Sequence, residues 1–264
     1  MWIDSPGSVR YYSFDSMQDA GVIQAVFTRR GGVSNSPYAS LNTGGTVGDD
    51  PQAVAENRQR CFSELGRDLT SMFDVWQVHS TEVVFAEAPR LMDTPHKKAD
   101  VILTDRPEVT LFMRFADCVP VFLVDPVRRV VGMAHAGWVG TVDRVAAIAV
   151  QAMLQKYECR PQNIRAGIGP SIGVEHYPVG EEVIARVKGA FPNDFKTLLT
   201  EYADGVHFNL WKANRILLEG QGITRIEESG ICTACHLEDW FSHRGESGQT
   251  GRFGALLALK GELE

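Results

Sequence analysis

Short runs of apolar residues recur along the chain, and they limit the folds that it can adopt more than any other feature. Most are rich in β-branched and aromatic residues, span fewer than about ten residues and are bounded by turn-forming residues, which is typical of strands rather than of buried helices. They are too numerous for an all-helical domain. The predicted strands cover 22–28, 74–78, 82–87, 109–115, 119–125, 130–136, 164–169, 224–229 and 253–259.

Helical spacing of apolar residues is found in fewer segments. In the clearest one, Asp50 can cap the first turn and Pro51 suits the first helical position, while Gly66 follows the last apolar residue. Thr141 and Asn209 are the expected caps of two further helices. The predicted helices run from Pro51 to just before Gly66, over 141–157, over 180–191 and over 210–219.

The order of these elements predicts the fold class. Several predicted strands follow one another through hairpin-like turns, and the helices are scattered between them. This order favours an α+β layered sandwich with mixed, largely antiparallel sheets over a doubly wound parallel sheet. With 264 residues, 44% of them hydrophobic, the chain can bury one large core. Since no repeat or low-complexity tract divides it, we predict a single domain over 1–264.

Charge and cysteine content narrow the classes of partner. A net charge of -7 leaves no overall basic surface for nucleic acid or for an anionic membrane. No apolar run approaches the roughly 20 residues of a spanning helix, and the first residues lack the features of a signal peptide, which predicts a cytoplasmic protein. The five cysteines are too scattered for a disulfide framework, so each is expected to be a core residue, a ligand or a nucleophile.

One of these cysteines, Cys118, immediately precedes a predicted strand. That strand and the next are joined by a tight Asp-Pro turn and predict an antiparallel hairpin. If Asp125 pairs with Val130, then Pro120 faces His135, and Cys118 and His135 become diagonal neighbours on one face. A shift of one residue would put the two side chains on opposite faces. In this register they lie close enough to share a metal ion or to interact directly.

A second histidine completes a set of metal-binding residue types. His79 and His135 each lie at the end of an apolar run, whereas His96, next to two lysines, is expected in a solvated loop. One thiolate and two imidazoles can bind zinc at three positions and leave the fourth position for water or substrate. The alternative, from the residues alone, is that Cys118 packs as a small hydrophobic residue beside structural histidines.

Eight short motifs, spread over nearly the whole chain, carry a resemblance to a known family. They are TRRGGVSNSPYASLN, VGDDPQAVAENR, WQVHS, ADCVPVFLVDP, AHAGWVGT, GIGPSIG followed by YPVG, CT and FSHRGESGQTGR. In this order and at roughly this spacing they resemble the YfiH-like family, also called laccase-domain or polyphenol-oxidase proteins. The resemblance extends from about Thr28 to Arg252.

The resemblance implies both a fold and an activity. It implies a single domain of the α/β/β/α type and a zinc ion bound by His79, Cys118 and His135. It also implies phosphorolysis of adenosine, inosine or methylthioadenosine, and hydrolytic deamination of adenosine. Zinc makes a bound water acidic enough to act near neutral pH, which suits deamination. A purine nucleoside and phosphate are therefore the expected partners.

Other residues in the motifs are candidates for catalysis and binding. Asp117, next to Cys118, is a candidate catalytic acid, and its alternative role is to orient the metal ligands through hydrogen bonds. Cationic and amide side chains suit a phosphate group and a nucleoside. The substrate-binding candidates are Arg29, Asn42, Gln77 and Arg244.

The chain departs from the family pattern in two motifs. Val139 stands where the family typically has an arginine, so the use of phosphate or of an anionic substrate group is expected to differ. His243 and Gly245 stand where a tyrosine and a second arginine are commoner. We interpret His243 as a structural replacement for the aromatic ring, and an extra binding or catalytic group is the alternative.

The stretch CTACH, Cys232 to His236, matches the C-x-x-C-H pattern of c-type haem attachment. Haem attachment normally follows export, and no export signal is recognised, so we do not expect haem. A thioredoxin-like redox pair is disfavoured because the neighbouring fold pattern is missing. An adventitious second zinc site is left as an alternative.

Three further functions compete with a zinc-dependent nucleoside enzyme. A copper-dependent polyphenol oxidase ranks lower, because Met133 is displaced from an axial position near His135 and the chain has no His-x-His motif. The runner-up is a metal-free thiol hydrolase in which His135 activates Cys118, acting on an amide such as a cell-wall precursor peptide. The third is a binding protein with a structural zinc.

Overall fold

The computed structural model describes residues 1–4, 9–91 and 93–261. The predicted domain span of 1–264 reaches past these residues and stays a prediction. The strands are β1 (Trp2–Asp4), β2 (Arg10–Tyr12), β3 (Val22–Phe27), β4 (Met72–Phe73), β5 (Val83–Phe85), β6 (Val101–Thr104), β7 (Thr110–Phe115), β8 (Val119–Asp125), β9 (Val130–Ala136), β10 (Arg165–Ile168), β11 (Leu199–Tyr202), β12 (Gly205–Phe208), β13 (Arg225–Glu228) and β14 (Phe253–Leu259). The helices are α1 (Pro51–Glu64), α2 (Trp138–Val142), α3 (Val145–Tyr157), α4 (Glu181–Ala190), α5 (Phe195–Leu198) and α6 (Leu210–Glu219).

Two six-stranded sheets form the centre of the fold. The first has the order β1-β2-β3-β14-β7-β4, the second has the order β13-β10-β8-β9-β6-β5, and β11 and β12 form a separate hairpin. Three pairs are parallel, β4 with β7, β5 with β6 and β10 with β13, and the other pairs are antiparallel. The predicted mixed, largely antiparallel arrangement is confirmed.

The sheets pack face to face, and helices cover their outer faces. Between the sheets, Phe115 and Phe253 of the first pack with Phe122 of the second in one buried cluster. Phe62 of α1 contacts Phe112 on the outer face of the first sheet, with ring centroids 5.5 Å apart. Helices α3 and α6 pack on the outer face of the second sheet. This is the predicted α/β/β/α sandwich.

The helix predictions are confirmed except at one boundary. Asp50 accepts a hydrogen bond from Gln52 N at the start of α1, and Asn209 accepts one from Lys212 N at the start of α6. The predicted cap Thr141 is wrong, because it lies inside α2 and its hydroxyl accepts a hydrogen bond from buried Asn214. Arg144, in the left-handed conformation at φ +66°, separates α2 from α3.

Several strand predictions are corrected. The segment 74–78 is not a strand: β4 ends at Phe73, and the next residues form an irregular segment with one isolated bridge at Trp76. The sequence does not predict the short strands β1, β2, β4, β6, β11 and β12, since two to four residues carry little periodicity. In the part of the chain that the structure describes, none of the helices has the length and apolar character needed to cross a membrane.

Candidate metal site and cavity

The hairpin of β8 and β9 has the register that the sequence predicts. Pro120 pairs with His135, and Asp125 pairs with Val130. Cys118 precedes β8 directly, after Asp117 has turned the chain with a left-handed φ of +81°. The hairpin therefore brings Cys118 and His135 to the same end of the second sheet.

His79 reaches this end from the irregular segment between β4 and β5. Its own φ is +59°, and the residues on both sides of it are anchored, because Val78 N and Ser80 N donate hydrogen bonds to the Asp100 carboxylate at 3.2 and 2.6 Å. The turn points the His79 ring at His135, with ring centroids 4.8 Å apart. The segment 74–78, which was wrongly predicted to be a strand, thus lies where the chain bends and brings His79 to the site.

The three predicted donors converge. One atom from each of His79, Cys118 and His135 lies within 4.8 Å of the other two. Gly137 leaves the space between them open: a Cβ there would lie 2.9 Å from Cys118 Sγ and 2.9 Å from His79 Nδ1. Two imidazoles and one thiolate around a gap of this size fit a tetrahedral metal with one position left over.

Asp100 supports this site and was not identified from the sequence. Its side chain is fully buried, and one carboxylate oxygen lies 2.7 Å from His135 Nδ1. A carboxylate that is hydrogen-bonded to one ring nitrogen fixes the orientation of the histidine and leaves Nε2 to bind a metal ion. The sequence does contain a signal for it, an aspartate immediately before the apolar run 101–103. If a carboxylate at such a position is buried, it must have hydrogen-bond partners.

The electrostatics of the site favour a positive charge. Burial by itself would lower the pKa of His135, but the neighbouring Cys118 and the Asp100 carboxylate raise it to about 9. Burial lowers the pKa of His79, and the nearby His135 adds to this effect. The negative groups that raise the pKa of His135 would also favour a metal cation bound between the two imidazoles.

The three donors line a cavity of about 700 Å³. A cavity of this volume is large enough for a nucleoside-sized ligand. Its wall includes aromatic rings, guanidinium groups and further histidines. They are Trp76, Trp138, Tyr177, Arg58, Arg114, Arg244, Arg252, His96 and His243.

Asp117 lies at the cavity wall but its oxygens are already used. One oxygen accepts hydrogen bonds from Thr233 Oγ1 and Ser242 Oγ, both at 2.7 Å, and the other accepts from Arg244 N at 2.6 Å. Three donors to a buried carboxylate hold it as an acceptor. The contacts suit the orienting role better than the role of catalytic acid.

Of the four substrate-binding candidates, two line the cavity. Gln77 does so, although its amide is bonded to the backbone of Arg114 in both directions, Nε2 to O and N to Oε1. Arg244 is exposed there, with its guanidinium 5.2 Å from the Tyr177 ring centre. The Gln77 amide is therefore held by the wall itself, whereas Arg244 has an exposed side chain, one nitrogen of which donates to Pro178 O at 3.0 Å. The substrate-binding role of both residues stays a prediction.

Arg29 and Asn42 are not among the described residues that line the cavity. Arg29 donates to the carbonyls of Ala39 and Leu237 and pairs with Glu246. The Asn42 amide is fully buried and hydrogen-bonds within its own loop and to the backbone of Arg252. These contacts hold Arg29 and Asn42 within the loops behind the cavity, and their substrate-binding role stays a prediction.

The two departures from the family pattern differ in position. His243 is exposed and lines the cavity, so it is available to a ligand. Val139 is half-buried in α2 and is outside the lining that the described residues form, although its neighbour Trp138 belongs to it.

Comparison with known proteins places this two-sheet sandwich, with its metal-competent cavity, in a family. The family model described as multi-copper polyphenol oxidoreductase laccase matches residues 23–260, so the chain belongs to that family. The structure of the Bacillus licheniformis hypothetical protein YfiH superimposes with a TM-score of 0.90 at 35% identity, covering 98% of this chain and 99% of that one. The resemblance to the YfiH-like family is thereby confirmed.

Relatives of this chain carry enzyme names. The chain is 40% identical over 238 residues to a Deinococcus radiodurans protein named purine nucleoside phosphorylase, covering 90% of this chain and 89% of the relative. It is 33% identical over 240 residues to adenosine deaminase RL5 from an unknown prokaryotic organism, covering 87% and 91%.

Proposed function

We propose that this protein is a zinc-dependent purine nucleoside enzyme. It cleaves adenosine, inosine and methylthioadenosine by phosphorolysis and deaminates adenosine by hydrolysis. The observation that carries the proposal is the convergence of His79, Cys118 and His135 in a cavity that also presents guanidinium groups and aromatic rings. The names of the two relatives support the substrate class.

Zinc fits these donors better than copper. One thiolate and two imidazoles suit a tetrahedral zinc, which would act there as a Lewis acid on a bound substrate or water. A blue-copper centre would need a weak axial ligand such as Met133, which is fully buried between the sheets. Oxygen reduction by several copper ions requires histidine-rich clusters, and the sequence has seven histidines with no His-x-His motif.

We assign phosphate binding to arginines of the cavity wall that the sequence motifs did not single out. Burial and, to a smaller extent, the nearby Arg114 lower the pKa of Arg58 to about 10. In the described part of the chain, Arg58 and Arg252 donate to backbone carbonyls and form no ion pair, whereas Arg114 pairs with Asp74. Crowded guanidinium groups without their own anions favour a phosphate between them.

The aromatic side chains are assigned to the base. Trp76 is 47% exposed although it lines the cavity, which leaves a ring face available for stacking on a purine. Trp138 and Tyr177 line the same cavity. Asp117, held by three donors, positions Cys118 and Arg244 around the reacting groups.

The test measures products and metal together. Purified protein is incubated with adenosine, inosine or methylthioadenosine, with and without phosphate, and free base, ribose 1-phosphate and ammonia are quantified. Cys118→Ser is expected to lose one zinc ion per chain and at least about 100-fold in activity. Cys159→Ser is the control, because Cys159 is another free cysteine that is buried and lies outside the cavity lining of the described residues. Full activity in Cys118→Ser, or no turnover of any nucleoside by zinc-loaded wild type, would refute the proposal.

One observation favours a second candidate, a thiol hydrolase. The Cys118 thiol, the His135 ring and the Asp100 carboxylate are linked in a line by hydrogen bonds, an arrangement that can activate a cysteine nucleophile. This candidate has no role for His79. It therefore expects His79→Ala to retain hydrolysis of a peptide amide, such as a cell-wall precursor, after chelation. The zinc proposal expects no such hydrolysis, and expects zinc to protect Cys118 from iodoacetamide.

A further inference from the structure

A second group of donor side chains lies outside the set just described. Glu175, His176, Cys232 and Cys235 each offer one ligand atom, and all four atoms lie within 4.8 Å of one another. None of the four belongs to the lining of the cavity that the described residues form. Four such residues from two distant parts of the chain call for a common explanation.

Backbone pairing brings the two parts together. Ser171 forms an isolated parallel bridge with Cys232, in which Ser171 N donates to Ile231 O and Thr233 N donates to Ser171 O. A short helical turn over 174–176 then directs Glu175 and His176 back towards the turn that carries Cys235. The bridge fixes the two segments at one end, and the side chains meet at the other.

The distances match those between ligands of one tetrahedral ion. Cys235 Sγ lies 3.4 Å from His176 Nδ1 and 3.4 Å from Glu175 Oε1. His176 Nδ1 lies 3.7 Å from Cys232 Sγ and 3.8 Å from Glu175 Oε1. Zinc bonds of about 2.0–2.3 Å at tetrahedral angles separate the ligand atoms by about 3.3–3.8 Å. Little movement is needed for all four to bind one ion.

The surroundings of Cys232 suit a sulfur ligand. Cys232 is 3% exposed, and its sulfur accepts a hydrogen bond from Gly173 N at 3.2 Å. A Cβ on Gly173 would overlap the Glu175 carboxylate as it lies in the structure, so glycine leaves room for that side chain to fold back over the site. Backbone donors to a ligand sulfur and the close fit of neighbouring groups are common around metal sites.

The donor types select among cations. Two thiolates are soft ligands that disfavour magnesium and calcium, and thiolate with imidazole in tetrahedral geometry is typical of zinc. Haem attachment at the same stretch is not supported, because the His236 ring faces Glu238 at 3.3 Å and is not part of the group.

We infer that Glu175, His176, Cys232 and Cys235 form a second, structural zinc site. Four protein ligands leave no position for substrate, so the ion ties two segments together instead of reacting. Each segment continues into the cavity: Thr233, next to Cys232, donates to Asp117, and Tyr177, next to His176, lines the wall. By holding the two segments together, the ion therefore stabilises the part of the cavity wall that Thr233 and Tyr177 reach.

The experiment isolates this site by working in full-length Cys118→Ser protein. Samples are dialysed exhaustively in reducing buffer without chelator, and zinc per chain is measured by mass spectrometry of the metal. We expect about two zinc ions in wild type and about one in Cys118→Ser. Adding Cys235→Ser or His176→Ala is expected to remove the remaining ion. His236→Ala is the matched control from the same turn and is expected to keep it.

Cobalt gives a readout that does not depend on activity. Cobalt-loaded Cys118→Ser is expected to show thiolate-to-metal charge-transfer absorption, which Cys235→Ser weakens and His236→Ala leaves unchanged. Circular dichroism confirms that each variant is folded. The inference is overturned if Cys118→Ser binds no zinc, if Cys235→Ser keeps the full amount, or if Cys232 and Cys235 are joined by a disulfide in zinc-loaded wild type.

Discussion

The two donor clusters differ in how many ligands they offer and in what lies beside them. His79, Cys118 and His135 supply three donors at a cavity of about 700 Å³, whereas the cluster of Cys232 and its neighbours supplies four donors, none of which is among the described residues that line the cavity. Three donors with an open side are typical of catalytic zinc, and four are typical of structural zinc. The proposed sites would combine both kinds of coordination in one fold, linked by the hydrogen bond from Thr233, next to Cys232, to Asp117, next to Cys118.

The clusters also differ in what holds them in place. The three-donor cluster is supported by charged groups of the protein itself, since Asp100 fixes His135 and Asp74 fixes Arg114 in the cavity wall. The four-donor cluster has the short bridge at Ser171 and three exposed ligands. We therefore expect the first to keep its geometry without metal and the second to depend on its ion.

The largest expected effect comes from removing the buried charge behind the cavity. Asp74 is fully buried and contacts Arg90 at 2.7 Å, Arg114 at 2.6 Å and His96 at 3.1 Å. Asp74→Asn leaves two guanidinium groups without their anion and is expected to lower the free energy of unfolding by about 3–5 kcal/mol, measured by urea denaturation. Asp143→Asn, which breaks an exposed pair with Arg186, is the control and should cost at most about 1 kcal/mol.

The effect of Asp74→Asn on the free energy of unfolding is expected to depend on pH. Burial alone would raise the pKa of Asp74, but Arg114 and Arg90 lower it from 3.8 to about 2. Because the pKa is lowered in the folded state, the charge stabilises the fold above about pH 4, and this stabilisation is lost as the pH falls towards 2. The stability difference between wild type and Asp74→Asn should therefore be nearly constant above about pH 4 and shrink as the pH falls from about 4 towards 2. A constant difference would show that charge is not the cause.

The contrast between the clusters also shows what a sequence can reveal. Cys118 and His135 could be paired because hairpin register is set by a tight turn and a period of two, both of which are local. The spacing of Cys232 and Cys235 was equally visible, but their partners Glu175 and His176 lie more than fifty residues earlier and approach only through the parallel bridge.

Arg58 was missed for a similar reason. Helix α1 was predicted correctly, but its partly exposed polar face gave no sign that this arginine turns towards the Thr43 carbonyl and the cavity. Layer order and hairpin register follow from local pattern, whereas the composition of a cavity wall depends on which loops meet over it.

Filling the gap between the three donors is expected to have a smaller effect than Asp74→Asn, a loss of nucleoside turnover and of one zinc ion. Gly137→Ala places a methyl group 2.9 Å from Cys118 Sγ and 2.9 Å from His79 Nδ1, which pushes the donors apart. We expect a loss of about 100-fold in nucleoside turnover, as for a misplacement of about 1 Å in a catalytic group. One zinc ion per chain should be lost while the four-donor cluster keeps its own. Gly189→Ala is the control, because no atom lies within 4 Å of its added Cβ, and equal losses in both variants would contradict the prediction.

The smallest effect concerns the open side of the three-donor cluster. Trp76 is 47% exposed at the cavity and is assigned to stacking on the base, so Trp76→Ala should raise KM for adenosine by about 10-fold, since stacking on an aromatic ring contributes about 1–3 kcal/mol. Because the ring contacts substrate before and during reaction alike, kcat should change little. Trp76→Phe should recover most of the affinity, and Tyr202→Ala, at another exposed ring outside the cavity lining of the described residues, should leave KM unchanged. A fall in kcat at constant KM would contradict a role in binding the base and would indicate that Trp76 positions the neighbouring His79.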